Sequence, residues 1–128
     1  MYVTIFVYFT VLTVAQCLSP EQHAKLTAIF IECSQTTGIN EDQARAAVEA
    51  ETTDDPKVKE HVLCFSKKIG FQNEAGDIQL DVMRQKIGEA VPDAAMVEEM
   101  ISKCAVQKAT PEDTAFDTSV CLYKMKPV

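Results

Sequence analysis

The chain has 128 residues, a formal net charge of −7, and five cysteines with no tryptophan. That length suits one compact domain and is too short for two ordinary ones. Nineteen acidic against 12 basic side chains exclude nucleic acid and anionic membrane surfaces as partners, and 47% hydrophobic content indicates a folded chain.

Residues 1–17, MYVTIFVYFTVLTVAQC, carry no charged side chain. The apolar stretch from Tyr2 to Ala15 is shorter than the roughly 18 residues that span a bilayer. It ends at the small residues Ala15 and Cys17, so a secretory signal peptide is predicted, cleaved after Cys17, with Ala15 the other choice. Residues 18–128 are then one domain retaining Cys33, Cys64, Cys104 and Cys121. Four cysteines in an oxidising compartment predict two disulfides, with three connectivities open. Bridges between sequence neighbours would each stabilise by roughly 3 to 4 kcal/mol in the chain-entropy model.

Six helices are predicted in chain order. Ser19-Pro20-Glu21-Gln22 is a capping box, and Leu26, Ile29, Phe30 and Cys33 follow at helical spacing until Gly38. Asn40-Glu41-Asp42-Gln43 is a second capping box, opening an alanine-rich helix to about Glu51. Asp55-Pro56 starts a third, with Val58, Val62, Phe65 and Ile69 on one stripe and Gly70 as its C-cap. After a loop from Phe71 to Gly76, a fourth segment near Asp81 to Gly88 bears Met83 and Ile87. Pro92-Asp93 opens a fifth, where Val97, Met100, Ile101 and Cys104 share a face. Thr110-Pro111-Glu112-Asp113 caps a last helix carrying Phe116, Val120 and Tyr123. No segment alternates with period two, so the predicted class is all-α in a single domain.

Catalytic chemistry is hard to find. There is no Gly-rich phosphate loop, no G-x-S-x-G elbow and no H-E-x-x-H. His61 lies three residues before Cys64, but no second pair completes a metal set, and His23 and His61 read as surface or rim histidines. Acidic residues Glu41, Asp42, Glu49 and Glu51 read as a solvated helix face, since no EF-hand loop is present. No catalytic residue, metal or cofactor is predicted. What stands out is adaptable apolar material: Met83, Met96, Met100 and Met125, with Phe30, Phe65 and Tyr123. Such a pattern does not distinguish a filled core from a hollow one.

The cysteine spacing is more informative. Thirty residues separate Cys33 from Cys64, 39 separate Cys64 from Cys104, and 16 separate Cys104 from Cys121. This resembles the insect pheromone- and general odorant-binding protein family, whose members usually carry six cysteines. The two further cysteines of that pattern fall on Glu60 and Glu112, and both belong to one bridge, as in the family's four-cysteine Minus-C subgroup. Lys68-Ile69-Gly70-Phe71 with Gly76 looks like the family's turn after the third helix. Asp55-Pro56-Lys57-Val58-Lys59-Glu60-His61 and Lys103-Cys104-Ala105-Val106 look like beetle haemolymph and accessory-gland members.

The resemblance implies bridges Cys33–Cys64 and Cys104–Cys121 and six helices around an apolar cavity. It implies a carrier, not an enzyme, secreted into sensillar lymph, haemolymph or a glandular secretion. The expected partners are a small hydrophobic ligand (odorant, pheromone or fatty-acid-like) and, for delivery, a membrane receptor. No nucleic acid and no stable membrane insertion are expected, and the protein should be a monomer or weak dimer. Ligand-facing residues are expected from the apolar stripes: Leu26, Ile29, Phe30, Phe65, Ile69, Met83, Ile87, Met100, Val120 and Tyr123. With one bridge fewer, the third and sixth helices should move more freely. Seven residues after Cys121 are too few for the tail helix that fills the pocket of some moth carriers, so no tail-insertion switch is expected. The rival reading is a secreted interaction protein with a filled core and no small-molecule ligand.

Overall fold

A computed structural model describes residues 19–125. The predicted leader, and with it the choice of cleavage site, lies outside the described residues. These form six helices: α1 Pro20–Thr37, α2 Glu41–Ala50, α3 Pro56–Ile69, α4 Leu80–Ala90, α5 Ala94–Cys104 and α6 Pro111–Met125. Among the described residues the only extended pairing is an isolated antiparallel bridge, Gln72 to Ile78.

The helix ends follow local chemistry. Ser19 and Asn40 cap α1 and α2 with complete capping boxes, each exchanging hydrogen bonds with the glutamine three residues on. Asp55 and Asp93 accept from the first backbone amides of α3 and α5, and the Thr110 hydroxyl accepts from Asp113 N. Gly38 and Gly70 end α1 and α3 in the left-handed region. α4 is the exception: Gln79 supplies no side-chain cap, and the helix runs Leu80–Ala90 rather than the shorter predicted span.

Two cores form on either side of α6. The first gathers Ile39, Ala44, Val58, Val62, Leu63, Ala115 and Phe116, with Ala47, Val48 and Val120 at its margin. The second gathers Met83, Ile87, Val91, Val97, Met100 and Ile101, edged by Phe71, Ile78, Met96, Ala105, Leu122 and Met125. Helices α2 and α3, with Ile39 of the loop before α2, build the first and α4 and α5 the second, while α1 packs against α3; α6 contributes Ala115 and Phe116 to one and Leu122 and Met125 to the other. Each core has its own staple. Cys33–Cys64 joins α1 to α3, and Cys104–Cys121 joins α5 to α6, with Cα separations of 5.8 and 5.3 Å.

The most extensive helix contact is between α3 and α6, on which Glu60 and Glu112 lie. One residue from each, Lys59 Nζ and Asp113 Oδ1 pair at 2.7 Å, and the same ammonium sits 5.8 Å from the Phe116 ring centroid. The hydrogen bond to Lys59 holds the Asp113 carboxyl below its ordinary range and raises the Lys59 ammonium above its own. An ion pair thus occupies the seam where the six-cysteine pattern would place a disulfide.

The α3–α4 loop is tied down by a buried amide. Gln72 accepts from Ser66 Oγ at 2.6 Å and donates to the carbonyls of Gly76 and Pro111 at 3.0 and 3.1 Å. Gly76 has φ +90°, and a Cβ there would lie 2.5 Å from Pro111 Cβ, so only glycine lets this loop meet the start of α6.

Candidate functional site

A cleft of about 320 Å³ opens at the edge of the first core. Its wall is drawn from four helices: Phe30 from α1; Glu41, Ala44, Arg45 and Val48 from α2; His61, Val62 and Phe65 from α3; and Ser119 from α6. The hollow has a volumetric cause. Helix α2 presents small side chains, Ala44, Ala47 and Val48, toward α3 and α6, so the space between them is not filled. Phe30 and Phe65 form the aromatic wall, stacked with centroids 4.4 Å apart and planes 14° apart.

The polar groups of the wall sit in two environments. Glu41 and Arg45 form an i,i+4 ion pair at the exposed rim. His61 is different: it is 1% exposed, and its ring stacks against Phe30 at 6.3 Å. This corrects the surface-or-rim reading. His61 precedes Cys64 by one turn on the face that the Cys33–Cys64 bridge pulls against α1, so the staple buries it. His23 is exposed, as expected. Burial lowers the His61 pKa below its ordinary 6.5, partly opposed by the Cys33 carbonyl and the Glu41 charge. Its Nδ1 lies 3.3 Å from Thr37 Oγ1, while Nε2 is buried with no hydrogen-bond partner among the described residues.

The ten expected ligand-facing residues do not converge on one place. Phe30 and Phe65 are on the cleft wall. Val120 packs at the margin of the first core, and Leu26, Ile29, Ile69 and Tyr123 are half-buried on α1, α3 and α6. Met83, Ile87 and Met100 are buried in the second core instead. Sequence reasoning missed the other seven wall residues, among them Ala44, Val48 and His61. The signal for Ala44 and Val48 was small side chains on a helix facing aromatic ones; for His61 it was its place one turn from a bridged cysteine. Of the acidic face, Asp42 and Glu49 are exposed, but Glu41 borders the cleft and Glu51 pairs with Lys124 at 2.8 Å.

Among the described residues no group of three His, Cys, Asp or Glu side chains could hold a metal, and Cys64 is bonded to Cys33. No described helix is long and apolar enough to cross a membrane.

Six helices, two staples and an open apolar cleft define a disulfide-bonded helical protein of the odorant-binding type. The model of the PBP/GOBP family matches residues 15–125, and the chain belongs to that family. It is 34% identical over 116 residues to the B1 protein of Tenebrio molitor, covering 91% of this chain and 89% of that protein. The B2 protein of the same beetle is also 34% identical over 116 residues, covering 91% of each. Among solved structures it resembles the fatty acid binding protein OBP56a from the oral disk of the blowfly Phormia regina. The TM-score there is 0.64 at 27% identity, over 84% of this chain and 94% of that one. It also resembles the THP12 carrier protein of the yellow meal worm, with TM-score 0.58 and 34% identity over 71% and 84% of the two chains.

Proposed function

We propose that the protein is a secreted carrier that takes up a small hydrophobic molecule in the cleft between α1, α2 and α3. The observation that carries this is the hollow itself: about 320 Å³ walled by Phe30, Ala44, Val48, Val62 and Phe65. At ~30 Å³ per water-sized group, that space suits a ligand on the order of ten non-hydrogen atoms. A fatty-acid-binding protein and a carrier protein among its structural relatives support the same reading. Phe30 and Phe65 would contact the ligand, and delivery to a membrane receptor would follow release.

The test is displacement of N-phenyl-1-naphthylamine by medium-chain alcohols, esters and fatty acids. Probe fluorescence should rise on binding and fall as the competitors enter. No probe uptake and no calorimetric signal with any competitor would overturn the carrier reading and favour the interaction protein, for which the sealed methionine core speaks.

A further inference from the structure

Resting on the carrier reading, we propose that Ser119 on α6 chooses the head group of the ligand, its hydroxyl pairing with a neutral oxygen, carbonyl or hydroxyl, and not with a carboxylate. Ser119 lies on the cleft wall. It follows Ala115 and Phe116 by one helical turn, and those two are buried in the first core, so its side chain leaves α6 on the face that looks toward α2 and α3. The residue is only half-buried, and its hydroxyl has no hydrogen-bond partner among the described residues. Nor is that oxygen sealed: among the described residues, the unpaired side-chain polar atom shut away from solvent is His61 Nε2. Helical hydroxyls elsewhere are taken up within their own helix, as Thr27, Thr36, Thr37 and Thr114 each donate to the carbonyl four residues earlier. Ser119 keeps both its hydrogen and its lone pairs for another partner.

The rest of the wall offers a head group little. Phe30, Ala44, Val48, Val62 and Phe65 are apolar. His61 turns Nδ1 to Thr37, and its Nε2 is out of reach. Arg45 and Glu41 neutralise each other at the exposed rim. An ionised carboxylate drawn into the cleft would lose its hydration with no uncommitted cation on the wall to receive it, and Glu41 would repel it. A ketone, aldehyde, ester or alcohol instead carries a neutral oxygen that one hydroxyl can satisfy. The choice of head group thus falls to Ser119, and the aromatic wall takes the chain.

The experiment compares 2-nonanone, its hydrocarbon isostere 2-methyl-1-nonene and octanoate by displacement of N-phenyl-1-naphthylamine at about pH 7.5, where the carboxylate is ionised. Ligand hydration cancels when one ligand is compared across two proteins, so the change on Ser119→Ala is what is read. The ketone should bind about threefold to tenfold more weakly to Ser119→Ala, the scale of one net hydrogen bond, and the alkene equally to both. Octanoate should bind the unmodified protein roughly tenfold more weakly than the ketone. An arm on the unmodified protein needs no variant to fold. The carbonyl resonance of bound 2-¹³C-labelled ketone should lie downfield of its position in hexane, and move back toward it in Ser119→Ala. A resonance at the hexane position in the unmodified protein, or the same change in affinity for ketone and alkene, overturns the head-group assignment and leaves the carrier reading standing. Octanoate binding more tightly than the ketone also overturns it and passes the head group to Arg45. Failure of all three ligands to displace the probe overturns both.

Discussion

Around α6 the molecule solves the same packing problem in two ways. On one side Ala44, Ala47 and Val48 face Phe30, Phe65 and His61, and a hollow of about 320 Å³ is left between them. On the other, Met83, Ile87, Val97, Met100 and Ile101 close over one another until Met83 has no exposed surface. Methionine is unbranched and conforms to irregular gaps, so a methionine-rich core tends toward being filled. Short side chains opposite rigid rings cannot close a gap of that size. Adaptable side chains are therefore poor markers of a binding hollow in this bundle; a step in side-chain size is the better one.

The difference can be tested from each side. Met83→Ala should cost about 2 to 5 kcal/mol of unfolding free energy, measured by urea titration, while leaving probe affinity in the cleft unchanged. Probe uptake lost in proportion to Met83→Ala would mean that the two halves share one ligand space. Val48→Trp should do the converse. The indole projects into the open hollow, probe affinity falls at least tenfold, and the melting temperature stays close to that of the parent. Undiminished uptake would move the binding site away from α2.

The smallest expected effect is on pH dependence, and it belongs to the first half alone. His61 has its pKa lowered in the folded state, so the unfolded chain binds its proton more readily. The stability this group contributes is complete above the ordinary value of 6.5 and is lost as pH falls through the lower folded value. Glu41, whose charge favours the imidazolium, limits the loss, and Arg45 at the rim is paired with that same carboxylate. Urea midpoints recorded downward from about pH 7.5 should decline before the carboxylates titrate near pH 4, and His61→Phe should flatten that decline. An unchanged slope in His61→Phe would assign the decline to other groups.

Much of the fold was legible because helix ends are written locally. Ser19 with Gln22, Asn40 with Gln43, Gly38 and Gly70 act within a few residues of themselves, and the six helices follow from them. The cysteine pairing was legible through the family spacing, and both bridges form as that spacing implied. The site was less so, because burial is decided between helices. His61 and Thr37 are 24 residues apart, and only the Cys33–Cys64 staple brings their rings and hydroxyls together. Likewise Met83 and Phe65 fall on similar helical stripes, and nothing in their spacing says that one enters a solid core and the other borders an opening.

The Lys59–Asp113 pair gives the α3–α6 seam a different kind of time. A disulfide, once made, rearranges over minutes to hours without a catalyst, whereas exposed side chains change rotamer in picoseconds to nanoseconds. The ion pair can thus part and re-form at thermal rates, with no oxidant and no exchange partner, while the shared core of α3 and α6 and the staples on either side hold register. The strength of that pair is set by dissolved salt rather than by thiol chemistry. A bundle built this way has two permanent rivets and, between them, a clasp that the surrounding fluid can tighten or slacken.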